Sequence, residues 1–175
     1  MKTIERKIAL PEGIEAAIDG KKVCVSAGAK KNERVFHAEE IDFQKSGNEI
    51  ILRAETDTKK INAILNSVEA HLRNMVSGLQ NDYEYKLSVV YSHFPITVTV
   101  KGNIVEITNF AGEKKPRKAR IFGQTNVQVK GKEIFVKGHN KEDVGQTAAG
   151  IETAARVPKK DKRVFQDGIY LAGKN

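Results

Sequence analysis

The longest regular pattern in the chain is a stripe. Ile61, Ile64, Leu65, Val68, Leu72, Met75, Val76 and Leu79 recur at three- and four-residue steps, which lays them along one face of a helix. Asp57 and Thr58 stand just before it as N-cap candidates. A second, narrower stripe of Val144, Ala148, Ile151 and Ala155 follows Asn140, another good N-cap, with Glu142 and Asp143 placed to favour the positive start of a helix. The small residues of that stripe predict a close approach to the surface beneath it. Elsewhere apolar and polar residues alternate in short runs, as in Val23-Cys24-Val25, Ile96-Thr97-Val98-Thr99-Val100 and Val105-Glu106-Ile107-Thr108. That is the period of half-buried strands.

These elements repeat at a spacing of about 83 residues. Ile18-Asp19-Gly20-Lys21-Lys22-Val23 answers to Val100-Lys101-Gly102-Asn103-Ile104-Val105, and Lys45-Ser46-Gly47-Asn48-Glu49-Ile50-Ile51 to Val129-Lys130-Gly131-Lys132-Glu133-Ile134-Phe135. Each is a glycine turn between apolar runs, the mark of a hairpin. A helix with one apolar stripe and a sheet with one apolar face bury each other. The expected fold is therefore α+β, two tandem repeats over 1–82 and 83–175, each an antiparallel β-sheet with one α-helix packed on a face. The stretch from Val157 onward has no counterpart in the first repeat, and Asp167-Gly168 within it predicts a turn.

Charge divides unevenly between the repeats. The chain carries 30 Lys and Arg against 22 Asp and Glu. Residues 1–82 hold 13 of each sign, so the whole excess of +8 falls in 83–175. It is concentrated in Lys114-Lys115-Pro116-Arg117-Lys118-Ala119-Arg120, with no acid, and Arg156-Val157-Pro158-Lys159-Lys160-Asp161-Lys162-Arg163, with one. One such run reads as a solvated face. Two in one half read as a surface for a polyanion that neutralises them.

Searching for chemistry narrows the function further. No run approaches the 18 apolar residues of a membrane span, and the N-terminus lacks a signal-peptide core, which places the expected protein in the cytoplasm. The lone Cys24 forms no disulfide framework and no metal cluster. The sequence contains no phosphate-binding glycine loop, H-E-x-x-H or G-x-S-x-G. No cofactor or metal is implied. His37, His71, His93 and His139 are far apart in sequence; His37 and His71 read as structural. Gly138-His139-Asn140 opens the second helix, where free backbone donors suit a phosphate, but Glu142 and Asp143 oppose that potential. The rival reading from another class is a ribonuclease-like enzyme with His93 and His139 as acid and base. A third is a protein-binding adaptor using the neutral first repeat.

Four segments, in order, carry a family likeness. They are Tyr85-Lys86-Leu87-Ser88-Val89-Val90-Tyr91-Ser92-His93-Phe94-Pro95-Ile96, Val105-Glu106-Ile107-Thr108-Asn109-Phe110-Ala111-Gly112-Glu113-Lys114, Glu142-Asp143-Val144-Gly145-Gln146-Thr147-Ala148-Ala149 and Arg163-Val164-Phe165-Gln166-Asp167-Gly168-Ile169-Tyr170. Together they resemble the large-subunit ribosomal protein of the L-six family in its archaeal and eukaryotic form. The resemblance covers essentially the whole chain. Ala111 stands where the family usually has Leu, which predicts looser packing near that loop. The bacterial Arg-x-Pro-Glu-Pro-Tyr-Lys-Gly-Lys-Gly type of tail segment is missing, so the archaeal type fits better.

The resemblance implies a non-catalytic, ribosome-bound component that binds large-subunit ribosomal RNA. Its neighbours would be other ribosomal proteins, and its site would lie beside the sarcin–ricin region, near where translational GTPases land. Lys114, Lys115, Arg117, Lys118 and Arg120 are then expected to contact phosphate from a loop or hairpin, and Lys159, Lys160, Lys162 and Arg163 from the tail. Phe165 and Tyr170 either stack on unpaired bases or cover the edge of the second repeat; packing is the favoured reading.

Overall fold

The computed structural model describes residues 3–92, 94–158, 160–161 and 163–174. The chain divides between Asn81 and Asp82 into two units. In the first, β1 (Ile4–Ala9), β2 (Glu15–Asp19), β3 (Lys22–Ala27), β4 (Lys30–Val35), β5 (Ile41–Ser46) and β6 (Glu49–Ala54) precede α1 (Lys59–Gln80). In the second, β7 (Tyr83–Val90), β8 (Thr97–Lys101), β9 (Ile104–Thr108), β10 (Arg117–Arg120), β11 (Asn126–Lys130) and β12 (Glu133–Gly138) precede α2 (Lys141–Ala154). A last strand, β13 (Gly168–Lys174), follows α2. The duplicated strands-then-helix order is the α+β architecture that the periodicities predict. Each unit distributes its strands over two antiparallel sheets: β1-β6-β5 and β2-β3-β4 in the first, β11-β12-β7-β13 and β8-β9-β10 in the second.

Local chemistry explains these elements. Gly20 and Gly102 open the equivalent β2–β3 and β8–β9 hairpins at φ 58° and 57°, a conformation that a Cβ disfavours and that two-residue hairpin loops require. Thr58 caps α1, its hydroxyl accepting from the Ile61 N–H at 3.3 Å. Asn140 caps α2, its side-chain oxygen accepting from Glu142 N–H at 3.0 Å. Both are N-caps expected from the residue type. The stripe of α1 buries Ile61, Leu65, Val68, Leu72, Val76 and Leu79 in a core with Val23, Ile50 and Leu52. Val144, Thr147, Ala148 and Ile151 of α2 are buried in a separate core with Leu87, Ile107 and Ile134. Thr147 is fully buried, and its hydroxyl accepts from Phe122 N–H at 3.0 Å, so this polar group is satisfied.

The unmatched C-terminal stretch widens one sheet. β13 lies antiparallel to β7, with Ile169 opposite Val89 and Tyr170 opposite Ser88. The corresponding strand of the first unit, β1, pairs with β6 and is an edge strand among the described residues. Gly168 is the first residue of β13 rather than part of a turn, and it is buried. The expected Asp167-Gly168 turn is replaced by one set earlier, where the Val164 and Phe165 N–H groups both donate to the Asp161 carbonyl. Phe165 and Asp167 thereby line a cleft with Glu152, Thr153 and Ala155 at the end of α2.

Candidate nucleic-acid interface

The first basic run straddles a bend and a strand. Lys114 and Lys115 are exposed ahead of β10. Within β10, strand alternation turns Ala119 into the core and leaves Lys118 and Arg120 exposed. Arg117, on the inward side, is only 22% exposed. Its guanidinium lies over the Phe110 ring at 4.1 Å, and its Nε and Nη2 donate to the two Glu113 carboxylate oxygens. Nη1 donates to the carbonyls of Ala154 and Arg156 at 2.9 and 2.8 Å. The Ala154 carbonyl ends α2, where unsatisfied C=O groups and the negative pole of the helix favour a cation, and Arg156 follows just beyond the C-cap. Arg117 therefore clamps protein groups, in contrast to its neighbours. Its hydrogen bonds hold the Glu113 carboxyl below its ordinary range and raise the guanidinium's own value.

Asn109 and Ala111 flank Phe110 at φ 57° and 49°. Ala111 is exposed and Phe110 buried, so the Leu-to-Ala departure falls on the outer side of the loop and loosens no core contact. Lys118 shares the Glu106 carboxylate with Lys101, at 3.7 and 2.7 Å. Lys101 chiefly holds that carboxyl below its usual range.

The single acid of the second run, Asp161, is engaged by Arg163. Asp161 accepts from the Arg163 N–H at 2.9 Å and pairs with the Arg163 guanidinium at 2.8 Å. These bonds hold its carboxyl below the ordinary value. The Arg163 side chain is nevertheless 89% exposed, and an exposed pair of this kind exchanges partners at little cost. The Lys160 ammonium sits 4.3 Å from the centre of the Phe165 ring, a cation–π contact. Lys159 and Lys162 lie outside the described residues. Phe165 and Tyr170 are 45% and 36% exposed and belong to no core cluster, so the favoured packing reading is corrected for both. Both rings border a cleft with buried Ala155 and Ile169 without being enclosed by it. Tyr170 is anchored by its hydroxyl, which donates to the Gln166 carbonyl at 3.1 Å.

Two basic runs separated by 35 residues thus meet: Arg117 of the first holds the Arg156 carbonyl of the second. A third group of cations escaped the sequence reading because no run marks it. Lys86, Lys130 and Lys137 lie on three adjacent strands, with Lys86 and Lys130 at 5.7 and 5.4 Å from the Phe135 ring centre. Lys132 stands 4.5 Å from the Tyr91 ring centre. Lys86 and Lys137 also pair with Glu133 and Glu84. The one available signal was strand alternation, which puts Lys86 and Lys137 opposite the buried faces of Leu87 and Val136.

His71 lies 6.4 Å from Phe36, centre to centre, in the first unit, where burial, then Arg34, lowers its pKa. His139 is half-buried ahead of α2, and His93 lies outside the described residues. Cys24 is half-buried on β3. Among the described residues no group of His, Cys, Asp or Glu is spaced to hold a metal, and no helix is long and apolar enough to cross a membrane.

Comparison with known proteins gives consistent matches. A family model described as ribosomal protein L6 matches residues 94–168. The chain is 42% identical over 175 residues to the large ribosomal subunit protein uL6 of Methanosarcina mazei, covering 99% of each chain. It is 40% identical over 171 residues to that of Methanobrevibacter smithii, covering 98% of this chain and 96% of the relative. It is 40% identical to that of Methanococcus vannielii, covering 98% and 94%.

Proposed function

We propose that this chain, which belongs to the ribosomal protein L6 family and is a structural component of the large ribosomal subunit rather than an enzyme, binds large-subunit ribosomal RNA mainly through residues 83–175. The observation that supports this most is the convergence of both basic runs at one end of α2, with Arg117 joining them. Lys114, Lys115, Lys118 and Arg120 then contact phosphates from the strand side, and Lys159, Lys160, Lys162 and Arg163 from the tail. Arg117 positions the two sets. Such contacts orient the protein on RNA without reading sequence. In this reading the chain is ribosome-bound in the cytoplasm among neighbouring ribosomal proteins. It sits beside the sarcin–ricin region, so translational GTPases are partners by proximity.

Phosphate contacts leave a salt signature that tests the assignment. Each one adds about 0.7 to 0.9 to the slope of log affinity against log salt. The full chain is titrated with large-subunit ribosomal RNA at several salt concentrations. Replacing Lys114, Lys115, Lys118 and Arg120 with Gln, or separately Lys159, Lys160, Lys162 and Arg163, should weaken binding and lower the slope by about one or more. Folded variants that keep the parental slope would remove both runs from the interface.

A further inference from the structure

Between the C-terminal end of α2 and the start of β13 lies a cleft of about 210 Å³. Buried Ala155 and Ile169 line its apolar part, and the exposed rings of Phe165 and Tyr170 border it. Glu152, Arg156 and Asp167 contribute its charged groups. The volume is below the ~300 Å³ at which sites for drug-sized ligands begin and suits one planar group. We propose that this cleft receives a single unstacked base of the bound RNA, the base stacking on Phe165 beside Tyr170 and its phosphate lying toward Arg156. The inference rests on the RNA-binding reading above and adds a base-recognition site to what is otherwise a phosphate-binding surface.

Three features favour a base as the occupant. Proteins that recognise RNA beyond its phosphates commonly splay out an unpaired base and stack it on Phe or Tyr. The two rings are also held in advance. The Phe165 backbone N–H donates to the Asp161 carbonyl at 2.9 Å and its ring carries the Lys160 ammonium, while the Tyr170 hydroxyl is tied to the Gln166 carbonyl. Preorganised rings lose little freedom on binding. Finally, the cleft carries both signs, the Glu152 and Asp167 carboxylates against the Arg156 guanidinium. Asp167 already accepts from the Ser92 N–H through one oxygen, at 2.9 Å, and a carboxylate can accept only from the N–H edge of a base. Arg156, of opposite sign, suits the phosphate.

Stacking and phosphate contact separate experimentally because stacking releases no counterions. Full-length protein and the variants Phe165→Ala, Phe165→Leu and Phe165→Tyr are titrated with large-subunit ribosomal RNA across salt, and base accessibility in each complex is probed with dimethyl sulfate. Phe165→Ala and Phe165→Leu should both lose roughly five- to 150-fold in affinity, the usual worth of one stacked base, with an unchanged salt slope. Both should expose a base that the parent protects, and Phe165→Tyr should retain affinity and protection. The leucine variant keeps apolar bulk, so its loss cannot be ascribed to failed folding of the tail. Parental affinity and protection in folded Phe165→Leu would overturn the cleft assignment while leaving the RNA-binding reading intact. So would a lowered salt slope, or a defect seen only when neighbouring ribosomal proteins are added. Failure of the parent protein to bind this RNA would overturn the broader reading and the cleft with it.

Discussion

Arg117 sits within a run of five cations and differs from the other four in what it touches. Four of its N–H bonds go to Glu113 and to two carbonyls at the end of α2, and its flat face covers Phe110. Replacing it with Gln strands those acceptors, and we expect a loss of about 1–3 kcal/mol at neutral pH, read by urea denaturation. Lys should recover only part, because an ammonium cannot reproduce the planar fork. The pH dependence carries a sign. Glu113 is held below its ordinary value of 4.5 in the folded chain, so the stabilisation is full above that value and is lost as pH falls through the folded one. The gap between parent and Arg117→Gln should therefore narrow in acid. If Arg117 were instead a phosphate ligand, the Gln variant would keep its stability and flatten the salt slope. Nothing in the sequence separates these roles, since Phe110, Glu113 and the end of α2 converge on residue 117 only once the strands are paired.

At the scale of elements, α2 shows what its composition can and cannot reveal. The stripe of small residues predicts a close approach, and buried Ala148 and Ala155 are consistent with it. The glycines of the same helix serve another purpose or none. A Cβ on Gly145 would come no closer than 4.0 Å to Tyr85, and one on Gly150 no closer than 4.0 Å to the Arg120 carbonyl. Both are ordinary contacts. Gly145→Ala and Gly150→Ala should each stabilise the second unit by about 0.5–1 kcal/mol through helix propensity and a less flexible unfolded chain, seen as a higher denaturation midpoint with unchanged m-value. Gly123→Ala should do the reverse. Its φ is +56°, and the added Cβ would collide with the Asp143 carboxylate. The helices, their caps and the repeated hairpins were legible because each is set by residues close together in sequence. The division into two sheets per unit was not legible, because it depends on which distant strands pair. β13 was hidden for the same reason: nothing local to residues 168–174 says that its partner is β7.

Across the whole molecule the same duplicated architecture carries two different charge balances. Each unit has its own core, one built on α1 and the other on α2. Residues 1–82 carry no net charge and residues 83–175 carry +8, so one repeated scaffold presents two different surfaces. Surface charge costs a fold little to change, whereas the core positions that α1 and α2 bury are constrained by packing. The two halves should therefore both fold when expressed separately, each giving a cooperative denaturation curve. In a filter-binding titration with large-subunit ribosomal RNA, the second half should retain most of the full chain's affinity and nearly all of its salt slope, because the counterions released are those on the phosphates its cations displace. The first half should bind weakly with a shallow slope. Equal affinity and slope from a folded first half would mean that RNA is held by its Lys and Arg side chains despite the balancing acids, and the division of labour proposed here would have to be abandoned.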